Sequence, residues 1–82
     1  MIRAKVIVTL KDGILDPQGK TIAEAFPGVG IEGIKKINTG KFFELFFESG
    51  ELEQARTSTE EACRKLLSNP VIENYSYELS EE

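Results

Sequence analysis

Residues Ile2 to Lys11 alternate without a break: Ile2, Ala4, Val6, Val8 and Leu10 point one way, and Arg3, Lys5, Ile7, Thr9 and Lys11 the other. Period two with β-branched side chains predicts a half-buried strand, and Asp12-Gly13 ends it. The same period returns twice. Over 42–48, Phe43, Leu45 and Phe47 share one face, while Phe42 and Phe46 share the other with Glu44 and Glu48. Over 71–79, Tyr75, Tyr77 and Leu79 share a face of a last strand. Gly40-Lys41 reads as a turn, Ser49-Gly50 as a strand end, and Ser80 to Glu82 as a polar end that frays. A weaker strand is predicted over 33–39, where Ile34 and Ile37 fall on opposite faces and a bulge would account for the spacing.

Two helices fill the gaps. The Asp16 carboxylate can cap free backbone N–H groups, and Pro17 suits the first helical position, whose N–H needs no partner. This helix runs to Phe26 with Ile22, Ala23 and Phe26 as its apolar stripe, and Pro27-Gly28 stops it. Ten residues are few for a helix, so it must lean on a sheet. The second helix spans 51–68. Leu52, Ala55, Thr59, Ala62, Cys63, Leu66 and Leu67 fall on one face. Glu60–Arg64 and Glu61–Lys65 form i,i+4 pairs on the other. Asn69-Pro70 ends it.

The resulting order is βαββαβ in a single domain, 1–82. Such a chain most simply forms the α+β ferredoxin-like split βαβ arrangement, an antiparallel sheet with both helices on one face. The other sheet face then carries Ile7, Phe42, Phe46 and Ile72 with no helix to cover them. Two large aromatics exposed together in so small a domain predict a self-association face. The architectural alternative is that Lys5 and Lys11 lie over the rings.

Composition narrows the chemistry. Ten Lys and Arg against fourteen Asp and Glu leave a net charge of −4, which opposes binding to a polyphosphate backbone. With no His and a single Cys, the chain alone cannot build a His-assisted nucleophile, a Cys-x-x-Cys metal site or an internal disulfide. No apolar run approaches the roughly 18 residues of a membrane span. The first ten residues lack the apolar core and cleavage site of a signal peptide. A cytoplasmic, membrane-free location is expected.

No segment rises to a catalytic constellation. The loop 12–20 leads into a helix start with Gly13, Gly19 and Lys20 available. It lacks the spacing that cradles phosphates, and Asp12 and Asp16 would repel an anion. Gly40-Lys41-Phe42-Phe43 superficially echoes an RNA-recognition signature, but Glu44 and Glu48 sit beside the rings. Gly28-Val29-Gly30 reads as a connection, and Glu51, Glu53, Glu60 and Glu61 as a solvated helix face. Cys63 reads as a small buried hydrophobe.

Three segments together resemble one family. They are Asp16-Pro17-Gln18-Gly19 after the first strand, Gly40-Lys41 at the third, and the run Ala62 to Tyr75 containing Leu66-Leu67-Ser68-Asn69-Pro70-Val71-Ile72-Glu73. The chain resembles the PurS family, the small subunit of phosphoribosylformylglycinamidine synthase, over nearly its whole length. It departs from the family pattern at Pro27-Gly28, where the first helix ends early, and at Asn38, where an arginine is expected.

The resemblance implies a non-catalytic subunit of a complex in de novo purine synthesis. That complex converts formylglycinamide ribonucleotide, glutamine and ATP to formylglycinamidine ribonucleotide. PurS dimers would bridge the glutaminase subunit PurQ and the synthetase subunit PurL and assist ammonia transfer. ATP and Mg would sit on the large subunit, with no cofactor on this chain. By the same resemblance Asp16, Pro17, Gly19, Gly40, Lys41, Asn69 and Pro70 are candidates for partner contact, and the architectural alternative for them is a helix cap and turns. A second reading is an ACT-like regulatory module that binds a small molecule. An acylphosphatase would need an arginine after the first strand, and residues 12–19 contain none.

Overall fold

The computed structural model describes residues 1–48 and 50–81. Strand β1 (Ile2–Leu10) is followed by helix α1 (Pro17–Ala25) and a 3-10 turn (Phe26–Val29). Strand β2 (Gly40–Phe47), helix α2 (Leu52–Ala62), a π turn (Cys63–Leu67) and strand β3 (Glu73–Glu81) complete the chain. The fold is α+β and of the ferredoxin-like kind, built on an antiparallel sheet. Its strand order is β2-β1-β3.

The long alternating strand takes the centre, as its unbroken apolar face requires. Val6 lies between Phe43 and Tyr77, and Ile7 between Phe42 and Ser76. Ile2, Ala4, Val6 and Val8 are buried against Ala55, Thr59 and Cys63 of α2 and its extension. Those three fall at i, i+4 and i+8, a narrow stripe of small side chains that lets the helix settle closely on β1 and β3. Phe43, Leu45, Tyr75, Tyr77 and Leu67 flank this centre, half-buried.

Three expectations are corrected. Residues 33–39 form no strand and belong to no sheet. Gly40 is not in a turn: it is the first residue of β2 and pairs with Thr9, so no hairpin precedes β2. Leu66 does not join the core stripe and is 83% exposed. The π turn, in which Ser68 N–H donates to the Cys63 carbonyl at 3.0 Å, needs more residues per turn and swings Leu66 outward.

Boundaries shift modestly elsewhere. The α-helix ends at Ala25, but the chain coils on through Pro27-Gly28 as a 3-10 turn and stops at Gly30 in the left-handed region, φ 82°. Strand β3 runs to Glu81, so Ser80 and Glu81 are paired instead of frayed. Ser49 and Glu82 lie outside the described residues. Helix α1 makes no packing against a strand comparable to that of α2, and its stripe of Ile22, Ala23 and Phe26 is exposed or half-buried.

Candidate functional site

The Asp16-Pro17-Gln18-Gly19 segment forms a clasp. Gly19 N–H donates to Asp16 Oδ1 at 2.8 Å, which is the helix cap expected from sequence. The other carboxylate oxygen, Oδ2, accepts Thr39 N–H at 2.7 Å, and the Thr39 hydroxyl lies 3.0 Å from both oxygens. One carboxylate therefore ties the start of α1 to the last residue before β2. The Thr39 backbone bond first, then that from Gly19, holds the Asp16 carboxyl below the usual carboxylate range. Gly19 is buried, and a Cβ there would meet the Ile37 carbonyl oxygen. Gly40 is similar, since a Cβ would stand 2.6 Å from the Val8 carbonyl oxygen. Both glycines are set by close backbone approach. Lys41, opposite Val8 at the start of β2, is exposed.

Asn69-Pro70 is a compact turn. The Asn69 carbonyl accepts N–H groups from Ile72 at 3.0 Å and Glu73 at 2.7 Å, and its side-chain Oδ1 accepts Val71 N–H at 3.1 Å. Asn69 N–H in turn donates to Glu73 Oε1 at 2.7 Å. The turn is exposed, with Val71 and nearby Leu66 both open to solvent.

The sheet face away from α2 carries Ile7, Phe42 and Phe46, each at least half exposed. The register brings Ile7 opposite Phe42, so they form one patch, with Phe46 four pairs along, opposite Arg3. The Arg3–Glu44 ion pair at 3.4 Å crosses the strip between them. Ile72 lies at the end of that register, opposite Lys11. It lies in the turn ahead of β3, half-buried, with its carbonyl accepting Lys11 N–H at 2.9 Å.

Sequence reasoning missed the role of Glu60. It was read on the solvated helix face, yet its carboxylate accepts hydroxyl bonds from Tyr75 and from Tyr77, the latter at 2.7 Å. These bonds, Tyr75's first, lower the Glu60 pKa, and the same bonds raise both tyrosines above the usual phenol value. The signal was legible: Tyr75 and Tyr77 share the face beneath α2, and a buried phenol needs a partner. The Glu61–Lys65 pair forms at 3.7 Å. Cys63 is fully buried, and burial first, then the Glu60 charge, pushes its thiol up.

Among the described residues no three His, Cys, Asp or Glu side chains come together as metal donors. A groove of about 620 Å³ runs between α1 and the segment ahead of β2, and is lined by Ile14, Leu15, Ile34 and Ile37 with Lys20 and Lys36. It holds no nucleophile and base pair. What the molecule offers is surfaces: an aromatic sheet face, an apolar groove beside α1 and an exposed turn.

A family profile described as PurS, phosphoribosylformylglycinamidine (FGAM) synthase, matches residues 3–81. The PurS subunit of phosphoribosylformylglycinamidine synthase from Methanocaldococcus jannaschii is 40% identical over 75 residues, covering 92% of this chain and 90% of that one. The structure of PurS from Bacillus subtilis matches with a TM-score of 0.85 at 37% identity, covering 99% of this chain and 100% of that one. A chain in the structure of PurLQS from Thermotoga maritima matches with a TM-score of 0.81 at 30% identity, covering 98% of this chain and 99% of that one.

Proposed function

The chain belongs to the PurS family of phosphoribosylformylglycinamidine synthase subunits, and from that premise we propose that it is the non-catalytic small subunit of such a synthase. In this reading it bridges a glutaminase subunit, PurQ, and a synthetase subunit, PurL, and supports the passage of ammonia between them. ATP and Mg belong to the large subunit, and the assembly works in the cytoplasm. The single observation that carries the reading is the end-to-end likeness to a chain of the Thermotoga maritima PurLQS structure.

The chemistry of the surfaces supports a binding role. The buried Cys63 and the hydrogen-bonded Glu60 are occupied within the fold. The aromatic patch of Ile7, Phe42 and Phe46 is assigned to self-association, because monomers rarely leave such a patch open. Exposed Lys41 and the Asn69-Pro70 turn are assigned to the larger subunits. Asp16, Pro17, Gly19 and Gly40 hold the backbone that presents Lys41.

The experiment is to mix the chain with the synthetase and glutaminase subunits of its own organism and follow the mass of the assembly. A ternary complex that needs this chain supports the bridge. A synthetase–glutaminase complex of the same affinity without it overturns the bridge.

A further inference from the structure

Strand β3 forms a long border of the sheet. The order β2-β1-β3 places it at the edge, and it pairs with β1 without a bulge from Glu73, opposite Leu10, to Glu81, opposite Ile2. In such an antiparallel ladder only alternate residues exchange hydrogen bonds with the neighbour, so the others turn their N–H and C=O groups outward. Folded proteins usually blunt an edge of this kind with a proline, a bulge, a short strand or a covering loop. Residues 73–81 contain no proline. Helix α2 packs on the face of β3, where it also meets β1, and so leaves the edge open.

The edge is also held in place. Glu60 of α2 accepts the hydroxyl bonds of Tyr75 and Tyr77. The Asn69 carbonyl fixes the entry to the strand through the N–H groups of Ile72 and Glu73. A strand pinned at its start and along its length presents its free groups with little ordering left to do.

Charge decides what the edge can receive. From Leu66 onward the chain has no Lys or Arg, while β3 carries Glu73, Glu78 and Glu81. Glu78 and Glu81 are exposed. Lys5 of β1 stands opposite both Glu44 and Glu78, so one cation serves two acids. A second copy is the wrong occupant. Two β3 strands paired antiparallel about Tyr77 would set Glu73 of each against Glu81 of the other, and like charges directly opposite destabilise a ladder. We infer that the β3 edge receives an extended, lysine- or arginine-bearing segment of a different protein as an added strand. The inference rests on the synthase reading, in which that segment belongs to a larger subunit, and the contact is separate from Lys41 and the Asn69-Pro70 turn.

Hydrogen exchange of the full chain, alone and assembled with the synthetase and glutaminase subunits, tests it. Alone, alternate amides of 73–81 should exchange fast, even in the self-associated protein. In the assembly those amides should slow about tenfold or more. Glu78→Lys with Glu81→Lys should weaken binding to the larger subunits about tenfold, with circular dichroism unchanged. Glu24→Lys with Glu32→Lys makes the same change of charge at exposed positions off the sheet and should leave binding at the parent's level. Amides that stay fast in a formed assembly overturn the added strand and leave the synthase reading standing. Amides already slow in the chain alone give the edge to a second copy and overturn it as well. Failure of any assembly to form overturns both readings.

Discussion

The carboxylate of Asp16 and the backbone N–H of Thr39 are 23 residues apart in sequence and 2.7 Å apart in space. That bond ties the start of α1 to the residue that precedes β2. Through it, the motif that helped mark the family sets the position from which Gly40 and Lys41 start β2. A helix cap thus serves a second purpose as the clasp of a long excursion.

Gly19 tests the clasp from the other side. A Cβ on Gly19 would collide with the Ile37 carbonyl oxygen, so Gly19→Ala must move backbone and should cost about 1–3 kcal/mol in urea unfolding. Gly28 has open space around its Cβ position, and Gly28→Ala should stay within about 0.5 kcal/mol of the parent. Equal effects of the two substitutions would contradict the close approach.

Stability should fall at both ends of the pH scale. Asp16 and Glu60 have lowered pKa values in the fold, so the folded state holds those protons less tightly than the unfolded chain. Their contribution is complete above the unfolded values of about 4 and is lost as pH falls through the lowered folded values. Tyr75 and Tyr77 are raised, so their contribution is complete below about pH 10 and is lost as pH rises through the folded values. Chemical denaturation across pH should show a flatter alkaline limb for Tyr75→Phe with Tyr77→Phe. An unchanged limb would remove the Glu60 bonds from the account.

The open sheet face should carry the contact between copies. Phe46→Asp places a charge in the exposed patch of Ile7, Phe42 and Phe46 and should halve the mass of the assembly by light scattering, with the thermal transition retained. A mass equal to the parent's would rule that face out as a contact.

Cys63 should be silent. It is fully buried with a raised thiol pKa, so it should not react with a thiol reagent in the native protein and should react at once in denaturant. Rapid native labelling would mean that α2 does not sit on β1 as described.

Much of this was legible because local physics decided it. The alternation of Ile2 to Leu10 fixed the central strand, and Asp16-Pro17 fixed the start of α1. Residues 33–39 were read as a strand of this sheet because their composition suits a strand, but a pairing partner is a non-local property. Gly40 was read as a turn because glycine so often marks one, whereas here it admits the Val8 carbonyl. Leu66 fitted the 3.6-residue period, and only the π turn at Cys63–Leu67 breaks that period. The surfaces were partly visible: the exposure of Ile7, Phe42 and Phe46 followed from strand parity, while the turn that holds Ile72 ahead of β3 did not.

The bridging role meets its most direct test in a reconstituted synthase made from the large and glutaminase subunits of the same organism. Formylglycinamidine ribonucleotide formation would be followed with glutamine and then with an ammonium salt, each with and without this chain. The account predicts that glutamine-dependent turnover collapses without the chain while ammonia-dependent turnover falls far less. Equal rates with and without it, for both nitrogen sources, would contradict the account.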